Sequence, residues 1–487
     1  MKLWIIGCVF STLSLFGSTA ESIKDSIVKV YSTAREYSYK TPWSPPTTER
    51  YSGSGFVIEG NLILTNAHVV ADASFIEIQS ASSNEKYEAF VKFIGHDCDL
   101  AVLEVEDASF FEGKSPLPIS NHIASQKEEV QVYGFPMGGT GLSITKGIVS
   151  RIEMDFYAHS DAFLLVSQID APINPGNSGG PVITGGEVVG IAHQGFMIGQ
   201  NIGYMIPVPI IQHFLKEINE GKYQGFPVLP LKTQIIRNPA MREYYGLEEN
   251  VGGLLVTYIP ENYFLYDIIK PGDVLLGVDG HPIDRYGYID YEAFNFSLPF
   301  EYLIIMKYFG DQMDLEVLRE GERLTLSAQV DFSKRGEALV ESVEYDKPPT
   351  YFILGGMIFQ PLVGNIFDCG RDFDDNFLFV DFLYYFLHGK VKEGRDEIIV
   401  LSRVLGDMVN TGYQDIENEI VTEVNGHRVQ NMHDLIEAFE MCQDPYFIIT
   451  TKNNTEIILD REKVLERNPK ILQRYFISHD RSIDLRE

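Results

Sequence analysis

Asn174-Pro175-Gly176-Asn177-Ser178-Gly179-Gly180-Pro181 is the stretch from which the chain is read outward. A nucleophilic serine needs a sharp backbone with little Cβ bulk around it, so that its hydroxyl projects while nearby amides converge on a carbonyl oxygen that turns negative. Gly176, Gly179 and Gly180 supply that freedom. Glycine-rich serine turns also close ordinary hairpins, so the motif needs partners. A general base is offered by His68 in Leu64-Thr65-Asn66-Ala67-His68-Val69-Val70, although a histidine flanked by apolar residues is more often structural. A carboxylate to hold the imidazole Nδ1 proton is offered by His96-Asp97-Cys98-Asp99-Leu100-Ala101-Val102-Leu103. On chemistry alone Asp97 or Asp99 could serve, and a solvated turn is the ordinary alternative for both.

Order and spacing bring the three together. With Asp99 as the acid, the chain runs His68, then Asp 31 residues on, then Ser 79 further. That is the order of the chymotrypsin-like double barrel, not of subtilisins or α/β-hydrolases. The surrounding residues agree. From Tyr51 to about Ile206, short apolar or alternating runs are separated by Gly, Asn, Asp and Pro, the pattern of an all-β barrel or sandwich. Examples are Gly55-Phe56-Val57-Ile58, Leu100-Ala101-Val102-Leu103 and Val130-Gln131-Val132-Tyr133. After Pro207 and Pro209 the period becomes helical at Ile210, Ile211, Phe214, Leu215 and Ile218, predicting a closing helix that ends near Gly221.

Beyond it, Gly225-Phe226-Pro227-Val228-Leu229-Pro230 reads as a linker into a new unit. The hairpin signal Asp279-Gly280 is echoed by Asn425-Gly426, 146 residues later, which predicts a weak internal repeat with its boundary at Lys347-Pro348-Pro349. At about 150 residues per domain, 487 residues make about three. A 45% hydrophobic, 22% charged composition places the chain in the globular class, and a net charge of −30 argues against nucleic acid as a partner. Lys2, the apolar run to Phe16 and Ser18-Thr19-Ala20 read as a secretory signal cleaved after Ala20. An uncleaved anchor and a lipid on Cys8 are the competing readings, but fourteen apolar residues fall short of the about 20 that span a bilayer. No integral membrane segment is then expected after cleavage. Cleavage leaves Cys98, Cys369 and Cys442, an odd and scattered set that does not support a disulfide framework.

Thr65-Asn66-Ala67-His68-Val69-Val70, Asp99-Leu100-Ala101-Val102-Leu103, Gly176-Asn177-Ser178-Gly179-Gly180-Pro181 and Asn201-Ile202-Gly203-Tyr204-Met205-Ile206-Pro207 together resemble the HtrA/Deg family of PDZ-containing serine endopeptidases, strongly over residues 50–220 and more loosely to the C-terminus. The resemblance implies a mainly β chain with α+β modules: a chymotrypsin-like double β-barrel protease domain followed by two PDZ-like domains. The expected divisions are 1–20 signal peptide, 21–222 trypsin-like protease, 223–336 first PDZ and 345–480 a second, divergent PDZ-like domain. It selects Asp99 over Asp97, makes Ser178 the nucleophile and His68 the base, and puts the oxyanion amides on Gly176, Asn177 and Ser178. Neither metal nor other cofactor is implied, consistent with the lack of a His-Glu-x-x-His or Walker pattern.

By the same resemblance Ile173, Phe196 and Ile202 line an apolar specificity pocket suited to side chains that unfolded proteins expose. His193 stands where an apolar residue is usual near the substrate strand. It is expected either to make substrate binding depend on pH between about 5 and 8 or to be a solvated rim residue. Gly225, Phe226, Pro227, Val228 and Leu229 form the loop expected to receive a peptide carboxylate, the alternative being a spacer or regulatory domain. The expected activity is ATP-independent cleavage of unfolded or damaged proteins in the cell envelope, periplasmic or else secreted, by a trimer-based homo-oligomer. Tyr37, Tyr39 and Trp43 are candidate oligomer contacts, with exposed loop or core as equal alternatives. The aromatic run 377–386 is a contact surface or a core helix, and the acidic stretch 368–375 a solvated loop. The alternative function is a catalytically resting or dormant chaperone-like, peptide-binding scaffold.

Overall fold

The short alternating runs pair into two closed six-stranded barrels in a computed structural model that describes residues 20–137, 141–195, 203–291, 296–334, 338–368, 377–391 and 395–486. The first barrel comprises β1 (Ile27–Glu36), β2 (Thr47–Ile58), β3 (Leu62–Thr65), β4 (Ala73–Ser80), β5 (Lys86–Gly95) and β6 (Leu100–Val105), closed in the order β1-β2-β3-β6-β5-β4. The second comprises β7 (Glu129–Gly134), β8 (Ser143–Phe156), β9 (Phe163–Ile169), β10 (Pro181–Thr184), β11 (Glu187–Gly195) and β12 (Gly203–Pro207), closed in the order β10-β11-β12-β9-β8-β7. Alternation fills each barrel with one face of every strand: Val28, Val30, Ile63, Ile78 and Leu103 in the first, Val130, Val149, Ile169 and Val189 in the second. At about 1.5–3 kcal/mol per fully buried aliphatic side chain, these interiors offset the entropy of ordering the strands. The helix Val208–Asn219 follows, starting on Pro207 and Pro209 as expected and burying Ile210, Ile211, Phe214 and Ile218.

Two further large sheets follow, antiparallel in every pairing. One is built from strands between Lys232 and Gln329, the other from strands between Phe352 and Asp460. The repeat read from the sequence is structural. Strand Val274–Val278 turns back on His281–Pro282 through Asp279 (φ 50°) and Gly280 (φ 77°). Strand Glu419–Val424 turns back on His427–Arg428 through Asn425 (φ 49°) and Gly426 (φ 77°). Both central residues of each two-residue turn are left-handed, the geometry that Asp-Gly and Asn-Gly favour. Each turn also grips the neighbouring strand alike: Asp279 exchanges hydrogen bonds with the Asp314 backbone, and Asn425 with that of Ile448.

Tyr39 and Trp43, in the β1–β2 loop, take the core reading rather than that of oligomer contacts. Tyr39 is buried with Leu339, Leu362 and Phe382, and Trp43 packs beside Tyr351, Ile353 and Ile471. The loop thus clips the first barrel to the C-terminal unit. Residues 377–388 form the helix Phe377–His388, which is not wholly buried: Phe382 is enclosed, while the apolar Val380, Tyr384 and Leu387 face outward. Residues 1–19 of the expected signal segment 1–20, Cys369, Phe196 and Ile202 lie outside the described residues, as does all but Asp368 of the acidic stretch 368–375.

The unit holding the first of these sheets is seated on the closing helix by a ring stack. His213 lies between Phe226 and Tyr308, each centroid 4.1 Å away, and burial pushes its pKa down to about 4. A histidine in unfolded chain titrates near 6.5, so between these values the unfolded state binds more protons; the stabilisation is whole above about pH 6.5 and declines as pH falls toward 4. Replacing His213 with Phe is expected to remove about 2 kcal/mol of that pH dependence. Urea unfolding at pH 7 and pH 4.5 measures it, and an unchanged difference between the two pH values would show that His213 is not its source.

Candidate functional site

Pairing at the end of a strand brings His68 to Asp99. Strand β3 runs beside β6 with Thr65 opposite Ala101, so the residue just before β6 and the turn just after β3 become neighbours. Asn66 caps the short helix Ala67–Val70 that carries His68, and its Nδ2 donates to the Asp99 carbonyl oxygen at 2.8 Å. Asp99 sits in the left-handed region (φ 52°) with its side chain wholly buried. Its Oδ1 accepts the His68 backbone N–H at 2.7 Å, and its Oδ2 accepts His68 Nδ1–H at 2.7 Å. The expectation for Asp97 and Asp99 therefore resolves toward Asp99 in geometry: Asp97 faces away, its carboxylate held by Tyr223 Oη, Cys98 N and Phe226 N.

The Ser178 turn belongs to the second barrel and is laced to the first. Gly179 (φ 83°) lies so close to β2 that a Cβ there would fall 2.1 Å from the Ser54 oxygen; Gly176 (φ 98°) would meet the Phe135 oxygen at 2.4 Å. Ser54 N–H donates to the Ser178 oxygen (2.8 Å), Ser54 Oγ donates to the Gly176 oxygen (2.7 Å), and the Phe135 amide donates to Ser54 Oγ (2.9 Å). Ser54 was not among the residues singled out from sequence; its signal is the small, glycine-flanked run Ser52-Gly53-Ser54-Gly55. Of the three amides expected to form an oxyanion site, that of Asn177 already donates to the Asn174 oxygen at 2.9 Å, whereas those of Gly176 and Ser178 have no acceptor among the described residues.

Ser178 Oγ donates to the His193 carbonyl oxygen at 3.1 Å, and no hydrogen bond joins it to His68 among the described residues. His193 is not a solvated rim residue. It is 2% exposed, and its Nδ1–H meets the same Asp99 Oδ2 at 2.7 Å. A shift in the pairing of β11 with β12 between Ala192 and Gln194 makes His193 the extra residue of a bulge, which turns its ring inward. Ile173, half-buried, lies against the Gly203 backbone at the wall of the second barrel.

Two forces set the charges. Desolvation opposes the ionised forms of both His68 and Asp99, but their mutual attraction and hydrogen bonding prevail, raising His68 above the usual imidazole range and holding Asp99 well below the carboxylate range. Burial pushes His159 down to about 4. His159 and His96 share a hydrogen bond of 2.9 Å, and Tyr345, from the segment leading to the C-terminal unit, stacks on both rings. His96 Nε2 reaches Asp346 Oδ2 at 2.9 Å, and Asp346 exchanges backbone-to-carboxylate hydrogen bonds with Asp72. A cavity of about 500 Å³ opens there, bounded by His68, His159, Tyr37, Asp72 and Tyr345. His68, Asp99 and His193 also have ligating atoms within 4.8 Å of one another, a spacing that would admit a cation, but the 2.7 Å contacts are those of hydrogen bonds.

The loop 225–229 is engaged from the protease side. The amides of Gln224 and Gly225 donate to Glu217 Oε2 at 2.8 and 3.1 Å, and the Phe226 amide to Asp97 Oδ2 at 2.9 Å. Pro227 has no N–H to offer, and the Val228 oxygen accepts from Tyr263 Oη.

Comparison with known proteins agrees with this architecture. A trypsin-like peptidase domain model matches residues 53–191, and a PDZ domain model matches residues 340–484. "Protease Do-like 4, mitochondrial" of Arabidopsis thaliana is 35% identical over 460 residues, covering 94% of this chain and 84% of that protein. "Protease Do-like 2, chloroplastic" of the same plant is 34% identical, covering 96% and 76%. A variant of the HtrA-type protease AlgW, solved with a decapeptide, shares the fold at a TM-score of 0.50 and 22% identity, over 64% of this chain and 96% of that one. Two barrels, a buried carboxylate on a histidine, a glycine-cradled serine and relatives matched over most of their length lead to one assignment: the chain belongs to the HtrA/Deg family of Do-like serine endopeptidases.

Proposed function

We propose that the chain hydrolyses unfolded or damaged polypeptides without ATP, through Ser178, His68 and Asp99. The observation that carries the reading is the Asp99 carboxylate: wholly buried, it receives both the backbone and the side-chain N–H of His68, which fixes the ring with Nε2 as the free base. Ser178 Oγ attacks the scissile carbonyl and passes its proton to His68 Nε2; the imidazolium, stabilised by Asp99, then protonates the leaving amine. The amides of Gly176 and Ser178 receive the oxyanion, with Asn177 bracing the turn instead of donating. Ile173, with Phe196 and Ile202, forms an apolar slot for small to medium side chains, which unfolded clients expose.

A resting state is the second reading, favoured by one observation: Ser178 Oγ points at the His193 oxygen. Attack requires a turn about the Ser178 side-chain torsion, a motion of the kind that occurs in picoseconds to nanoseconds, so this rotamer describes a pause and not a loss of function. The first PDZ-like unit is proposed to receive extended peptide along strand Lys232–Ile235, which pairs on one side only, with Val228 and Leu229 beside its start. The protein is proposed to work as a trimer-based oligomer. Among the described residues no helix is long and apolar enough to cross a membrane. Residues 1–20 carry the proposal of export to the periplasm, and relatives named for mitochondria and chloroplasts favour an organelle as the alternative destination.

Casein degradation by the full chain should fall about 10⁴-fold or more in Ser178→Ala. Because the base acts only when neutral and its pKa is raised, activity should decline as pH falls through a value above about 6.5; residual cleavage at the wild-type rate in the variant refutes the triad. Light scattering should return a multiple of three chains, and a monomer refutes the assembly. N-terminal sequencing of the mature protein should begin at Glu21, and a sequence beginning at Met1 refutes cleavage.

A further inference from the structure

Asp99 is claimed by two imidazoles. Its Oδ2 receives His68 Nδ1–H and His193 Nδ1–H, each at 2.7 Å, while Oδ1 receives the His68 backbone N–H. A carboxylate oxygen has lone pairs for both donors, but each donor draws charge density that the other would otherwise use. The arrangement depends on the bulge in β11. In a regular strand, alternation would put His193 on the face opposite Ala192; as the bulge residue it turns inward beside it. The same residue's carbonyl oxygen accepts Ser178 Oγ–H, so one bulge residue touches both ends of the reacting group.

We propose that His193 is a positioning residue of the peptidase reaction, one that holds the Asp99 carboxylate in place and makes His68 work against an oxygen already shared with a second imidazole. The proposal rests on the roles of His68, Asp99 and Ser178 given above, and it deepens them. The His193 side chain touches neither substrate nor the serine hydroxyl; it acts through Asp99.

The groups packed around His193 leave Asp99 as its one permanent charge among the described residues. Tyr157, from the end of β8, lies 4.7 Å away by ring centroids; its phenol is kept neutral by burial and donates to the Leu165 oxygen. Burial likewise keeps the Cys98 thiol protonated, and His159 stays uncharged above about pH 4. From the helix Ala67–Val70, the His68 ring stands 6.3 Å away and becomes the second charge when it accepts a proton. The shared hydrogen bond works in one direction: it draws charge density from Asp99 Oδ2 and makes His68 a weaker base than an unshared Asp99 would make it, so that activity persists to lower pH.

The test compares kcat/KM against pH for the full chain, on one fluorogenic peptide, in wild type, His193→Phe and His193→Asn. Phe removes the donor; Asn keeps an N–H near the Nδ1 position and cannot titrate. The acid limb should move upward by about one pH unit in His193→Phe, a roughly tenfold loss at a pH on the limb, and return toward the wild-type position in His193→Asn. Superimposable limbs in an active Phe variant overturn the proposal. An inactive wild type with no Ser178-dependent cleavage instead overturns the triad itself. A second readout does not depend on turnover: ¹⁵N-histidine Ser178→Ala protein should give two low-field imidazole N–H protons, one of which vanishes when His193→Asn is added. A single such proton, unaffected by that change, also overturns the proposal.

Discussion

A buried carboxylate must be answered by donors or it will not stay charged, and Asp99 is the carboxylate on which this molecule is organised. Its left-handed backbone, the Asn66 amide on its carbonyl and the two histidines on its side chain draw β3, β6 and β11 to a single point. The two barrels meet there because neither can satisfy Asp99 alone: the His68 donors come from the first and His193 from the second. Ser54 makes the reverse connection, from the first barrel into the Ser178 turn of the second. The site is thus a product of the interface between barrels, and its rigidity is that of their packing.

Much of this was legible in the chain. Chain order and spacing placed His68, Asp99 and Ser178 on a double barrel, since strand alternation and glycine-rich turns are local properties that survive into the fold. Asp279-Gly280 and Asn425-Gly426 were likewise readable, because a left-handed two-residue turn is demanded by its own two residues. What eluded the sequence depended on register and distance. A bulge shifts the facing of everything beside it, and nothing in Ile191-Ala192-His193-Gln194 announces it; His193 therefore reads as a rim residue and is in fact enclosed. Ser54 reads as an ordinary small residue because its partners lie 81 and 122 positions away. Tyr39 and Trp43 carry no mark of which surface will cover them, and the covering surface comes from beyond residue 338.

The histidines differ in character although they are chemically alike. His68 is made more basic by its carboxylate, while His159 beside it and His213 on the closing helix are made less basic by enclosure. An imidazole raised by a carboxylate thus stands 6.1 Å from one that serves as a neutral aromatic spacer against Tyr345. Tyr345 and Asp346 extend this set from the base of the C-terminal unit to within reach of the His68 cavity, so the arrangement of that unit is mechanically continuous with the surroundings of the His68 ring.

Asp97 gives that continuity a second route. It stands two positions before Asp99, and its carboxylate occupies the Phe226 amide at the mouth of the first PDZ-like unit, in the manner of a tethered chain terminus. Glu217 does the same for Gln224 and Gly225. The start of the unit that follows the barrels and the turn that presents Asp99 therefore share one tether, and displacing Asp97 from Phe226 would loosen both at once, with no long lever between them.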